Sequence, residues 1–143
     1  PEAVVLPILV FVGISSYSQA FEVVDKKYFP AVIMASLPVV MDFIVDNMRE
    51  GALPGFTAFD PGSAFVGLLV GCVFVFIIDN NWKNASITNA AALALTGIGM
   101  IHSPGILGTA AYAPDMGFVQ VYIVLMIVFA VMHFVGFNQK KTA

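Results

Sequence analysis

The sequence predicts an all-α, polytopic integral membrane protein with about five transmembrane helices, organised as one helical region over residues 1–143. Three observations support this fold class. Hydrophobic residues make up 59% of the chain, charged residues make up only 10%, and the mean hydropathy is +0.93. A water-soluble domain carries about 25% charged residues. The apolar stretches also lack the alternation of polar and apolar residues that membrane β-strands require, so helices are favoured.

Five spans are predicted from runs without Asp, Glu, Lys or Arg, because a membrane helix needs about 20 apolar residues. The second run is too short by itself and is extended through Asp42 to reach that length. The predicted spans are residues 3–21, 29–47, 61–78, 85–102 and 116–138.

Local signals agree with these boundaries. Pro30 and Pro61 suit the first turns of the second and third spans, where the missing N–H costs no hydrogen bond. Asn80 and Asn81 predict a short turn between the third and fourth spans. Ser103-Pro104-Gly105 predicts that the fourth span ends there and that a surface loop follows.

The composition excludes several classes of function. Six Lys and Arg residues cannot form a phosphate-binding stripe, so no nucleic-acid partner is expected. The single cysteine, Cys72, excludes an internal disulfide, and the two histidines lie too far apart in sequence to form a metal motif. The sequence contains no nucleophile–base motif and no phosphate-binding loop. We therefore expect no enzymatic activity, no catalytic residue, no metal and no cofactor.

Basic residues predict the orientation in the membrane, because short loops rich in Lys and Arg remain in the cytoplasm. With five spans, one side of the membrane carries Lys26, Lys27, Lys83, Lys140 and Lys141. The opposite side carries one basic residue, Arg49. This bias predicts a cytoplasmic C-terminus and an external N-terminus, in a bacterial plasma (inner) membrane. An external N-terminus that starts at Pro1 is expected for a segment preceded by further spans in a longer protein.

Asp42 and Asp46 are the first candidate functional residues. They are four residues apart and therefore share one face of the second predicted helix. A carboxylate inside the membrane is costly, and it suggests a path for protons or ions, or a role in gating. The alternative is that the second span ends near Val45, which would place both carboxylates at the outer interface beside Arg49 and Glu50.

His102 and a pair of glycines are the other candidates. His102 closes the fourth predicted span, where it would titrate or bind a solute; the alternative is an interfacial helix end without such a role. Gly67 and Gly71 form a G-x-x-x-G face on the third span. This pattern lets another helix pack closely.

Two stretches of the sequence carry a further set of patterns. The first contains Gln19-Ala20-Phe21, a short charged turn, Pro30-Ala31-Val32 and Pro38. The second contains Asp79, Trp82, Ala85 and Gly99-Met100-Ile101-His102-Ser103-Pro104. Together they resemble the C-terminal region of the xanthine/uracil/vitamin C permease family, near its adenine/guanine/hypoxanthine-like branch. The chain departs from that family at Tyr28, where many relatives are expected to carry histidine. It also departs at Asp42 and Asp46, where the relatives are expected to be more apolar.

That resemblance implies a secondary transporter for nucleobase-like solutes of the purine, xanthine or uracil type, coupled to protons or another cation. Such permeases consist of a core domain and a gate domain built from inverted repeats. The matched region would supply gate helices, whereas the substrate-binding residues lie on earlier core helices, so no substrate-binding residue is assigned in this chain. The implied partners are the lipid bilayer, the remainder of the permease and a second copy in a homodimer.

Two other interpretations remain open. In the first, the chain is a small structural subunit that packs in a larger membrane complex through the small-residue faces of its third and fourth spans. In the second, it is a proton-conducting subunit that uses Asp42 and Asp46.

Overall fold

The computed structural model describes residues 2–47 and 62–141, and all regular structure in these two ranges is helical. The helices are α1 (Glu2–Val23), α2 (Phe29–Asn47), α3 (Ser63–Ile78), α4 (Trp82–Ile98) and α5 (Met116–Lys141). A short 3-10 turn, Lys26–Tyr28, connects α1 to α2. The predicted all-α class is therefore confirmed. Pro1, Arg49, Glu50 and Pro61, on which some of the sequence predictions depend, lie outside the described residues.

Each predicted span overlaps one of these helices. Among the described residues, the stretches Lys26–Asp46 and Met116–Gly136 are long and apolar enough to cross a membrane, judged by length and composition alone. Helix α3 is apolar but shorter, at 16 residues.

The fourth span differs most from its prediction, because α4 lies earlier in the chain than residues 85–102. The side chain of Asn81 caps the helix by accepting a hydrogen bond from the backbone N–H of Asn84. Gly99 ends the helix in the left-handed conformation, with a φ of +81°. A helix commonly ends at a glycine that follows an apolar stretch. Here the helix ends at this glycine, before it reaches the predicted Ser-Pro-Gly break.

Helices α2 to α5 pack as a row of antiparallel neighbours in chain order. Lys27, before α2, bonds to Asp79, which follows α3, whereas Asp42 near the end of α2 bonds to Ser63 at the start of α3. We call the end with Lys26, Lys27, Asp79 and Lys83 the lysine end. The opposite end, with Asp42, Ser63 and residues 99–115, is the loop end.

Helix α2 approaches α3 closely along the face formed by Gly67 and Gly71. The backbone carbonyl oxygen of Ala35 occupies the space that a β-carbon at Gly67 would need. A β-carbon at Gly71 would lie 2.9 Å from the methyl group of Ala35. Ala31, one turn away on α2, is buried at 2% exposure. Small residues on both helices allow this close packing, so the predicted glycine face is the surface on which α2 rests.

Helix α4 buries a stripe of small and polar residues, Ala85, Asn89, Ala92 and Thr96. Their spacing of three or four residues places them on one face of the helix. The amide of Asn89 donates to the Ala85 carbonyl, and the hydroxyl of Thr96 donates to the Ala92 carbonyl. The buried polar groups are therefore paired within their own helix and do not oppose burial.

Helix α5 packs antiparallel to α4. The hydroxyl of Ser86 donates to the backbone carbonyl of Met126, and the rings of Trp82 and Phe129 stack with centroids 6.2 Å apart. These contacts place the beginning of α4 beside the second half of α5. The C-terminal part of α5 consequently runs toward the lysine end.

Helix α1 meets α2 near the lysine end, where the rings of Phe21 and Phe29 pack edge to face with centroids 4.9 Å apart. Farther along, a cavity of about 460 Å³ lies between the two helices and is lined by Tyr17 and Ala20 of α1 and by Val32 of α2, among others. We call the space between these helices the α1–α2 groove. Helix α1 contacts α2 less closely than α2 contacts α3.

Candidate functional site

Asp42 is held between α2 and the beginning of α3. Its carboxylate accepts a hydrogen bond from the hydroxyl of Ser63, the first residue of α3, and its side chain is half-buried. A hydrogen bond to a charged group is stronger than one between neutral groups. This contact therefore fixes the loop end of α2 against α3.

Asp46 lies one turn farther along α2 and is exposed. The two carboxylates of the predicted pair thus have different surroundings, although they share a face of the helix. Arg49 and Glu50, the neighbours in the interfacial alternative, lie outside the part of the chain that the structure describes. Of the pair, Asp42 is the residue that the structure connects to another helix.

His102 lies in the loop after α4, whereas the sequence predicts it as the last residue of the fourth span. Its side chain is 2% exposed, and its Nε2 atom lies 2.9 Å from the hydroxyl of Tyr122. The imidazole ring stacks on Phe118, with centroids 3.7 Å apart and planes 8° from parallel. We call His102, Phe118 and Tyr122 the His102 pocket.

The backbone at His102 is left-handed, with a φ of +55°. This conformation is uncommon for residues other than glycine, although histidine tolerates it better than most. The buried contacts with α5 therefore hold the loop in a conformation that costs free energy by itself.

Hydrogen bonds within residues 99–115 give the predicted loop a defined shape. The hydroxyl of Ser103 donates to the Gly105 carbonyl and accepts from the backbone N–H of Ala113. The backbone N–H of Asp115 donates to the His102 carbonyl over 2.9 Å. These hydrogen bonds therefore connect residues 102 and 103, near the start of the loop, with residues 113 and 115 at its end.

Gly62 brings Asp42 and His102 to the same region of the loop end. A β-carbon at Gly62 would lie 2.7 Å from the Met100 carbonyl oxygen and 2.8 Å from the side chain of Ile101. Ile101 is fully buried, at 0% exposure. Ser63 therefore contacts Asp42, and Gly62 beside it contacts the loop that contains His102, so two candidates far apart in sequence lie at the same end of the helices.

The lysine end carries a cluster of three polar side chains that the sequence analysis did not connect. The Lys27 ammonium group donates to the Asp79 carboxylate over 2.9 Å, and the Tyr28 hydroxyl lies 2.9 Å from both carboxylate oxygens. Two hydrogen bonds hold the pKa of Asp79 below its usual value, the one from Lys27 with the larger effect and the one from Tyr28 with the smaller. The cluster joins the start of α2 to the end of α3.

We expect this cluster to stabilise the packed helices at neutral pH and to lose its effect in acid. Because the folded-state pKa of Asp79 is lowered, its contribution is complete above the unfolded-state pKa of about 3.9. The contribution disappears as the pH falls through the folded-state pKa. The melting temperatures of the detergent-solubilised wild type and of Asp79→Asn, measured from about pH 7 to about pH 3, should converge toward acid pH.

Asp25→Asn is the matched control for this measurement. Asp25 is exposed, and none of the side-chain hydrogen bonds or salt bridges found among the described residues involves it. The difference between wild type and Asp25→Asn should stay small at every pH. A difference between wild type and Asp79→Asn that does not change with pH would contradict the role assigned to Asp79.

Within residues 2–47 and 62–141, no group of three or more His, Cys, Asp or Glu side chains is placed to hold a metal ion. No family model, curated protein or solved structure matches the chain in comparisons with known proteins. The candidate site consists of the Asp42–Ser63 contact and the His102 pocket.

The sequence analysis missed Ser63 and Tyr122, the partners of Asp42 and His102. Tyr122 offered a signal, because a tyrosine hydroxyl in an otherwise apolar helix usually has a hydrogen-bond partner when it is buried. Ser63 gave no comparable signal in the sequence, because it is 21 residues from Asp42. The sequence does not show which residues of two helices face each other.

Proposed function

We propose that the chain is a membrane-embedded helical scaffold. The observation that carries this proposal is the distribution of side chains between interior and exterior. About half of the buried residues are small or polar residues on α2, α3 and α4, namely Ala31, Ser63, Ala85, Asn89, Ala92 and Thr96, whereas the larger apolar ones are Val66, Ile101, Tyr122 and Phe129. Large apolar side chains are more than half exposed, among them Phe11, Phe43, Phe65, Leu68, Val124 and Phe134. Such an exterior is unfavourable in water but suits lipid, where small residues mediate helix packing.

The positions of the lysines support an orientation for this scaffold. The antiparallel order of α2 to α5 places Lys26, Lys27 and Lys83 at one end, and the C-terminal part of α5, with Lys140 and Lys141, runs toward the same end. Under the positive-inside rule, the lysine end and the C-terminus face the cytoplasm of a bacterial cell, and the loop end faces outward.

A more specific proposal concerns transport. The chain would supply gate-side helices of a secondary transporter for nucleobase-like solutes, as the permease resemblance implies. The packed row α2 to α5 supports this role, because a gate domain needs a firm surface against which another domain moves. Asp42 and His102 are the residues that we assign to cation coupling or gating, since both are partly or fully buried at the loop end. Asp46 is the weaker candidate because it is exposed.

Alkaline carbonate washing of membranes from cells that express the chain tests the membrane location. The chain should remain in the membrane pellet, and its release into the supernatant would contradict the scaffold proposal. The isolated 143-residue chain should give no uptake of radiolabelled hypoxanthine or uracil. Uptake by this chain alone would contradict a role limited to the gate.

Deletion of the encoding gene tests the transporter assignment. Uptake of hypoxanthine, xanthine or uracil should fall and should be restored by the wild-type gene. Asp42→Asn should restore less uptake than Asp46→Asn, since Asp42 alone of the pair is bonded to α3. Uptake that is unchanged by the deletion would contradict the permease assignment. Unchanged uptake, together with retention of the chain in the membrane pellet, would favour the alternative of a small structural subunit. The small-residue faces of that subunit would be Gly67 and Gly71 on α3 and the buried stripe on α4.

A further inference from the structure

The loop after α4 folds back beside the end of that helix. The backbone N–H of Leu107 donates to the Ile98 carbonyl over 2.7 Å, and the hydroxyl of Tyr112 donates to the Gly97 carbonyl over 2.7 Å. Residues 107 and 112 are therefore held at the level of the last turn of α4. The middle of the loop lies against the helix end and does not project away from it.

The length of α4 places this level inside the bilayer. Helix α4 has 17 residues and begins at Trp82, next to Lys83 of the lysine end, whose charges mark one boundary of the hydrocarbon. At the usual rise the helix is about 25 Å long. The hydrocarbon core is about 30 Å thick, so Ile98 lies roughly 5 Å short of the opposite boundary. Helix α3, at 16 residues, is similarly short.

A tight turn in the loop carries two adjacent apolar side chains. The backbone N–H and the hydroxyl of Thr109 both donate to the Ile106 carbonyl, over 3.0 Å and 2.7 Å. Gly108 has a φ of +93°, which glycine adopts without strain. The side chains of Ile106 and Leu107 are 54% and 61% exposed. We call these two residues the Ile106–Leu107 tip.

The surroundings of the tip are apolar. The sequence from Asn84 to Pro114 contains no Asp, Glu, Lys or Arg. Ile98, whose carbonyl is bonded to Leu107, is itself exposed, so the tip is continuous with the lateral surface of α4. A continuous exposed apolar surface of this kind is typical of contact with a membrane.

Hydrogen bonds inside the loop lower the cost of placing its backbone near lipid, where an unpaired polar group is unfavourable. Internal acceptors are present for the backbone N–H groups of Leu107, Thr109, Tyr112, Ala113 and Asp115. The two prolines of the loop have no N–H to satisfy. At the boundary of the bilayer, water stays within reach of the other polar groups.

We propose that the Ile106–Leu107 tip inserts among the lipid acyl chains at the outer boundary of the bilayer. The proposal rests on the membrane location and orientation proposed above. It goes beyond the scaffold role, which requires lipid contact only along the sides of the helices. The tip is an anchor that fixes the depth and tilt of α4, because contacts at the interface set these properties.

Fluorescence quenching in vesicles tests this position. The full chain carries Cys72→Ala, so that Leu107→Cys is labelled alone with an environment-sensitive fluorophore, and it is reconstituted into phosphatidylcholine. A phospholipid spin-labelled near the top of its acyl chain should quench this label several-fold more than a label at Asp25→Cys. Iodide, present on both sides of the membrane, should quench it several-fold less than the label at Asp25→Cys.

Asp25→Cys and Leu68→Cys are the reference positions. Asp25 is exposed in the turn at the lysine end, whereas Leu68 is exposed within α3. A label at Leu107→Cys that iodide reaches as readily as the label at Asp25→Cys would overturn the proposal, because the bilayer would then thin to the length of α4. A label shielded from both quenchers would also overturn it, because protein would then cover the tip.

A charge in the tip tests the anchor itself. With the label moved to Ile106→Cys, Leu107→Asp should raise quenching by iodide several-fold, because a carboxylate is costly in hydrocarbon and draws the turn toward water. Val23→Asp makes the same kind of change at an exposed position at the lysine end and should leave this quenching unchanged. Equal effects of Leu107→Asp and Val23→Asp would contradict insertion of the tip.

The two proposals fail in different ways. Lipid quenching of the label at Leu68→Cys, combined with free access of iodide to Leu107→Cys, contradicts the inserted tip alone. A label at Leu68→Cys that the lipid does not quench contradicts the membrane scaffold itself.

Discussion

Replacing Gly67 with alanine is expected to destabilise the packing of α2 on α3 by about 1–3 kcal/mol. The Ala35 carbonyl oxygen occupies the space that the added methyl group needs, so the methyl group fits only if the two helix backbones move apart. That movement would weaken the contact at Gly71 and would strain the bond between Asp42 and Ser63. The free energy of unfolding in detergent, measured by denaturant titration, checks this expectation.

Gly97→Ala is the matched control, because it adds the same methyl group to another helical glycine. A β-carbon at Gly97 would have no neighbour within 4 Å. Alanine there should leave stability unchanged or raise it by up to about 1 kcal/mol, because it restricts the unfolded chain and favours the helix. Equal losses from Gly67→Ala and Gly97→Ala would contradict the close approach of α2 to α3.

The second large effect is expected at the His102 pocket, where His102→Ala should cost about 2–4 kcal/mol. Alanine removes the partner of the Tyr122 hydroxyl, which lies in a buried side chain, and leaves space opposite the Phe118 ring. An unpaired buried hydroxyl carries a desolvation penalty, and a cavity loses packing contacts. The unfolding free energy measured in the same detergent gives the magnitude.

His102→Gly separates the side-chain contribution from the backbone contribution. Glycine adopts a φ of +55° without the strain that alanine suffers there. The glycine variant should therefore be about 1 kcal/mol more stable than the alanine variant, despite its greater freedom when unfolded. An alanine variant as stable as the glycine variant would contradict the left-handed backbone at this position.

Tyr122→Phe completes a double-mutant cycle with His102→Ala. If the two side chains interact as the 2.9 Å separation indicates, the loss in the double variant should be smaller than the sum of the single losses by about 0.5–3 kcal/mol. Strictly additive losses would show that the hydroxyl and the imidazole do not stabilise each other.

The fourth helix shows where sequence reasoning succeeded and where it failed. The asparagines before it predicted the turn, and the structure places Asn80 there with a φ of 52° and Asn81 as the helix cap. The predicted C-terminal end is wrong because it depends on the break at Ser103-Pro104-Gly105, whereas Gly99 already ends the helix after Ile98. A glycine inside a helix and a glycine that ends one look alike in a single sequence, and the difference depends on the contacts of the residues that follow.

The loop after α4 shows a second limit of sequence reasoning. The Ser-Pro-Gly stretch predicted an irregular segment, and residues 99–115 form one. The prediction of a surface loop did not anticipate that Ile101, His102 and Ser103 are all buried. Burial of a loop residue depends on which neighbours cover it, and here Gly62 and helix α5 provide that cover.

The sequence by itself determined the helical class and the order of the five helices in the described ranges. It also determined the small-residue face of α3 and the grouping of lysines at one end of the helices. These properties depend on composition and on spacing within one segment. The tertiary structure alone decided which segments meet: Asp42 with Ser63, His102 with Tyr122, and Lys27 with Asp79. These partners are 20 to 52 residues apart, so their contact depends on the register between antiparallel helices. Interhelical packing sets that register, because the residues of one helix do not specify which residues of its neighbour lie opposite them.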